Sequence, residues 1–157
     1  MKFQFVTLKS SRNKWAETAV AEYVDKIGHF VPIELHEIKS KSLSRDSQEI
    51  KKSLEGEALL SHLLASDYVV IFTEDGHLAK DSIKFSERVV QIVESGKSRA
   101  VFIVGGPYGF SKEVRARANL MLSLSSLTMN HFVAQIVALE QIYRALTIWK
   151  NRSYHNV

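Results

Sequence analysis

The sequence predicts an α/β protein of one domain, with a mostly parallel sheet covered by helices on both faces. Three observations carry that reading. Segments with strand patterning alternate with segments of helical periodicity along all 157 residues. Tyr68 to Phe72 and Ala100 to Val104 are continuous apolar runs, the pattern of strands buried on both faces. The second run leads straight into VGGPYGFS, residues 104–111, a strand-loop-helix corner where open α/β sheets commonly hold ligands.

The elements follow in order. Phe3, Phe5 and Leu8 sketch a first strand at 2–8. Trp15, Ala19, Tyr23 and Ile27 recur at helical spacing and predict a helix over 12–27 that Gly28 ends. Residues 31–38 alternate as a second strand, and the serine-rich KSKSLSRDSQE after them reads as a mobile loop. Leu54, Ala58, Leu59, Leu63 and Leu64 mark a second long helix. The strand at Tyr68 to Phe72 is expected to close at the turn Glu74-Asp75-Gly76. Residues 83–93 form a helix stopped by Gly96, and the strand at 100–104 comes next. In the glycine-rich corner, Gly105 and Gly106 permit close backbone approach, Pro107 fixes the turn, and Ser111 caps a helix over 113–119. A short strand at 121–124 and a helix at 131–149 complete the chain. Apolar residues of the last helix, from Phe132 to Trp149, cover more than one face, so it is buried on two sides. A dimer interface, a helix threaded through its own fold and ordinary deep burial all fit that pattern.

Composition narrows the functional classes. Hydrophobic content of 45% and charged content of 24% suit an ordinary globular protein. With no cysteine, disulfides, thiolate catalysis and cysteine-bound metals are excluded. The N-terminus alternates as a strand rather than a signal peptide, and no apolar span reaches membrane length, which predicts a cytoplasmic protein without a membrane partner. A net charge of +4 permits an anionic partner without requiring one.

The glycine corner lacks both the G-x-G-x-x-G spacing of a dinucleotide fingerprint and the Lys-Ser/Thr of a P-loop. The polar residues gather late. SLSSLTMNH, residues 123–131, places hydroxyls and backbone groups where they can hold a small polar ligand, with Thr128 or Asn130 as helix cap. His131 is a candidate base, although a helix N-terminus disfavours its charged form. Glu140 precedes Arg144 by four residues, the favourable order for a helical ion pair. His36 between Glu34 and Glu37 would need ligands from elsewhere to bind metal, and a Ser-His-Asp triad has no G-x-S-x-G elbow. In the tail, Arg152, Tyr154 and His155 offer a cation, an aromatic plane and an imidazole to RNA.

Together, FIVGGPYGFS, SLSSLTMNH, EQIYRA and the terminal Tyr-His resemble the RlmH family of SPOUT methyltransferases, in order and spacing across essentially the whole chain. The resemblance implies a deep C-terminal trefoil knot, a homodimer, and S-adenosyl-L-methionine as methyl donor without a metal. It implies N3 of a pseudouridine in 23S rRNA of the assembled ribosome as the target. Carried onto this chain, the cofactor site is Phe72, Gly105 and the stretch Leu124, Ser125, Ser126, Leu127, Thr128 and Met129. His131, Glu140, Arg144 and His155 become the catalytic candidates, with the general base open among His131, Glu140 and His155; Arg152, Tyr154 and His155 face RNA. Gln135 stands where the family usually carries arginine. The rival readings are a non-catalytic ribosome-binding protein of this fold and a SPOUT enzyme acting on tRNA.

Overall fold

A computed structural model describes residues 1–154. Five strands form one sheet in the order β2-β1-β4-β3-β5, and every neighbouring pair is parallel. In chain order the elements are β1 (Lys2–Leu8), α1 (Lys14–Gly28), β2 (Ile33–Ile38), α2 (Gln48–His62), β3 (Tyr68–Leu78), α3 (Ser82–Val93), β4 (Arg99–Val104), α4 (Lys112–Arg117), β5 (Leu120–Ser123) and α5 (His131–Trp149). Because the strands run the same way, Leu8, Phe72, Val104 and Ser123 all arrive at one edge of the sheet, which positions the site described below.

The two-fold period of the strands divides the core between two faces. Phe3, Phe5, Val70, Phe72 and Phe102 point to one face, under Val20 and Ile27 of α1, Val89 and Ile92 of α3, and Leu139, Ile142 and Leu146 of α5. Val6, Val69, Ile71, Val101 and Ile103 point to the other, where Leu59 of α2 and Val114 of α4 cover them with Phe110. Helix α5 packs on both α3 and α1, which accounts for its broad apolar surface.

Several boundaries differ from the sequence expectation, each for a local reason. Gly28 is the last residue of α1 rather than its stop, and His29 caps the helix through contacts with the carbonyls of Ile27 and Lys26. Helix α2 starts at Gln48 because the Ser47 hydroxyl accepts from the Ile50 N–H, and it ends at His62, before Leu63 and Leu64. Strand β2 begins two residues later than expected, and β5 spans Leu120–Ser123 rather than 121–124. Ser111 does cap α4, accepting from Val114 N, but the helix stops at Arg117.

The largest correction concerns Glu74-Asp75-Gly76. These residues do not end the strand; β3 continues to Leu78. Its pairing with β5 shifts register, so that both Phe72 and His77 lie opposite Leu122 and the residues between bulge out. Gly76 is required by the close approach: a Cβ there would sit 2.5 Å from the carbonyl carbon of Leu122.

A candidate cofactor cleft at the strand ends

Three loops converge at the C-terminal edge of the sheet. They are the bulge after Phe72, the glycine loop after Val104, and the segment from Ser123 to Asn130. They enclose an open cleft of about 650 Å³, closed at one end by His131 and Ala134 of α5.

The glycine loop is a tight turn. Gly109 N–H donates to the Gly106 carbonyl at 3.3 Å, with Pro107 and Tyr108 between them. Gly109 has φ +75°, a conformation that side chains resist. Gly105 has a different reason. A Cβ there would lie 2.9 Å from the Phe110 ring, which is buried. Gly105 therefore also has a packing reason to lack a side chain, since one side of its Cα receives Phe110 while its backbone lines the cleft.

The third loop is held by its own hydroxyls. Ser123 Oγ donates to the Ser125 carbonyl at 2.9 Å, and Ser125 Oγ accepts from Leu127 N at 2.9 Å. Asn130, not Thr128, caps α5, its Oδ1 accepting from Phe132 N at 2.9 Å. Phe72, Gly105, Leu124, Ser125, Leu127 and Met129 line the cleft, whereas Ser126 and Thr128 are exposed on the same loop outside its wall. Leu127 is 75% exposed, a large apolar side chain at the mouth.

Polar groups that the sequence did not assign to the site lie in the wall, Thr73 and Asp75, or support it from behind, Arg115 and Ser10. Thr73 Oγ1 donates to Asp75 Oδ1 at 2.8 Å, and Arg115 of α4 pairs with Asp75. Hydrogen bonds from Thr73 and Arg115 hold the Asp75 carboxyl below the ordinary aspartate range. Ser10, beyond the end of β1, meets His131 Nε2 at 3.3 Å, and the His131 ring packs on Phe132. Arg115 and Asp75 are 40 positions apart and Ser10 and His131 are 121 apart, so no local motif marks these pairs.

The remaining candidates lie elsewhere. Glu140 and Arg144 form an ion pair midway along α5, and Gln141 donates to Glu140 at 2.6 Å. Tyr154 donates to Glu140 at 3.1 Å, its ring 4.6 Å from Tyr143 and 4.9 Å from the Arg144 guanidinium. Burial, the hydrogen bond with Tyr23 and the Glu140 charge push the Tyr154 hydroxyl above its usual range. The Tyr154 ring, which the sequence offers to RNA, thus packs against Tyr143 and lies beneath the Arg144 guanidinium within this chain. Arg152 is exposed. His155 lies outside the described residues. Among the described residues no group of three or more His, Asp or Glu side chains converges as a metal site, and no helix is long and apolar enough to cross a membrane. His36 instead meets Glu34 at 3.2 Å and packs on His62.

The family described as "Predicted SPOUT methyltransferase" matches residues 1–155. The chain belongs to this family. It is 43% identical over 157 residues to a protein of Bdellovibrio bacteriovorus named ribosomal RNA large subunit methyltransferase H, with 100% of both chains covered. A protein of the same name from Trichlorobacter lovleyi is 38% identical over 156 residues, covering 99% of this chain and 100% of its own. Among solved structures, a probable rRNA-methyltransferase from Porphyromonas gingivalis superposes with a TM-score of 0.52 at 11% identity, covering 94% of this chain and 69% of that one. That likeness concerns the fold alone. The full-length matches to relatives named methyltransferase H place the chain in the RlmH branch of the SPOUT family.

Proposed function

We propose that this SPOUT family member transfers a methyl group from S-adenosyl-L-methionine to N3 of a pseudouridine in 23S rRNA, acting as a cytoplasmic homodimer on the assembled ribosome. The observation that carries the reading is the cleft itself. Phe72 at the bulge of β3, Gly105 after β4 and the loop around Leu124 to Met129 after β5 converge on one cavity in a chain whose family is defined by methyl transfer.

The donor set suits adenosylmethionine. Backbone groups of the glycine loop and of residues 124–129 would hold it, Leu124, Leu127 and Met129 supply apolar contact, and Thr73 and Asp75 lie at the wall as polar partners. When bound, the sulfonium supplies an already activated methyl, so the protein must position it and accept the N3 proton. His131 is the titratable candidate on the cleft wall. Its contact with Ser10 fixes the imidazole at the N-terminus of α5.

Glu140 lies nine residues along α5 from His131, about 13.5 Å at 1.5 Å per residue, with Arg144 one turn beyond it and Tyr154 folded back onto Glu140. Within one chain that rise along the helix separates the cluster from the cleft wall. A two-fold pairing of copies along α5 would bring one copy's tail to its partner's cleft, and the RNA site is therefore read as shared between subunits. The deep knot is part of the same reading, with α5 as the segment drawn against α1 and α3.

Incubation with methyl-labelled adenosylmethionine tests the proposal. Ribosomes lacking the modification should take up label in large-subunit rRNA, and free tRNA should not. Label in tRNA would support the rival substrate. No transfer to any RNA by a protein that binds the ribosome would support a non-catalytic role.

A further inference from the structure

Against the glycine loop, and outside the residues that line the cleft, helix α2 presents a carboxyl that the reaction does not use. Glu55 Oε2 is buried and has no hydrogen-bond partner among the described residues. It lies 3.0 Å from where a Gly106 Cβ would stand, beside Leu8 Cδ1 at 3.2 Å from the same point. One turn earlier on the same helix face, the Lys51 ammonium sits 5.5 Å from the centre of the Tyr108 ring. The next residue, Gly56, is bare because Ser111 presses against it. Three neighbouring positions of α2 thus back the loop at its start, its tip and its end.

A buried acceptor without a donor is costly to leave in place unless its position has a use. Burial pushes the Glu55 carboxyl above its ordinary range, against the pull of Lys51, the charged neighbour that opposes the rise. The neutral acid keeps the volume of the side chain at lower desolvation cost.

We propose that Glu55 is a positioning residue for the cofactor loop: packed with Leu8 against the bare Cα of Gly106, its carboxyl sets the turn at 106–109 in the shape that lines the cleft. The inference rests on the adenosylmethionine reading for its ligand but not for its geometry. Glu55 acts through the loop and touches no reacting atom. What it contributes is shape, so glutamine should replace it and alanine should not.

The test uses the full chain and two readouts. Adenosylmethionine is titrated calorimetrically into wild type, Glu55→Gln and Glu55→Ala, and amide exchange of residues 105–110 is followed without ligand. Glu55→Gln should bind within about twofold of wild type and Glu55→Ala about tenfold more weakly, the size expected when a loop is loosened rather than lost. Faster exchange in Glu55→Ala should be confined to the loop, and kcat at saturating cofactor should be unchanged while KM rises. Wild-type affinity and loop protection in a folded Glu55→Ala would overturn the proposal, as would equal weakening in both variants. If Glu55→Ala does not fold, Gly106→Ala makes the same test from the loop side: weaker binding is expected, and unchanged binding and exchange overturn it. A wild-type protein that does not bind adenosylmethionine would instead contradict the proposed function, with loop exchange still deciding the role of Glu55.

Discussion

Asp67 has no exposed side-chain surface, and Arg99 donates to it twice, at 2.6 and 2.5 Å. The Leu64 N–H adds a third bond at 2.7 Å. Burial alone would raise this carboxyl, but these donors outweigh it and hold it below the usual range. A depressed carboxyl contributes stability that is present above its unfolded value and lost as pH falls through the folded one. The wild type should therefore lose stability below about pH 4 by a component that Asp67→Asn lacks. Asp67→Ala leaves Arg99 without its partner and should cost on the order of 3 kcal/mol in chemical denaturation. Glu55 has the opposite sign. Its raised carboxyl favours the protonated fold, so stability falls as pH rises above the ordinary glutamate range. Glu55→Gln should melt at a higher temperature than wild type at pH 8, and the gap should close below about pH 4; a gap that does not depend on pH would contradict the assignment. None of these residues announces itself in the sequence. Asp67 and Arg99 are 32 positions apart, and Glu55 reads as one more polar residue on an amphipathic helix.

At the scale of elements, periodicity read well where one packing face decides the structure. The bounds of α5 were legible because an apolar run of that length between a polar loop and a basic tail has few alternatives. The extension of β3 was not, because it depends on pairing with β5 some 50 residues later, and local turn chemistry pointed to a stop. Gly76 is the point where the two descriptions part. Gly76→Ala would force a methyl group into the Leu122 backbone, and should destabilise the protein by about 2 kcal/mol or more in a denaturant titration. A strand that really ended at a turn before Leu78 would tolerate it. The cleft was partly legible for a related reason. Glycine and serine clusters mark two of its loops, whereas Thr73 and Asp75 reach it through strand register and Ser10 only meets His131 of its wall.

For the whole molecule, the parallel sheet collects the strand ends at one edge, and α5 runs from that edge to the far side of the fold. The Glu140–Arg144–Tyr154 cluster sits at mid-helix, about 13.5 Å along α5 from His131 of its own cleft. If the tail works in the partner's cleft, Ser153–Val157 can be deleted with little loss of adenosylmethionine binding but with methyl transfer reduced about 100-fold. Light scattering at micromolar protein should find a dimer. The most direct measurement mixes two inactive proteins, His131→Ala and the tail deletion, under conditions that let subunits exchange. Each mixed dimer then contains one cleft with an intact His131 facing an intact tail. Methyl transfer to ribosomes should reappear at about a quarter of the wild-type level, half the dimers carrying one working site of two. Activity that stays at the level of the separate variants, after exchange has been verified, would contradict a site shared between subunits.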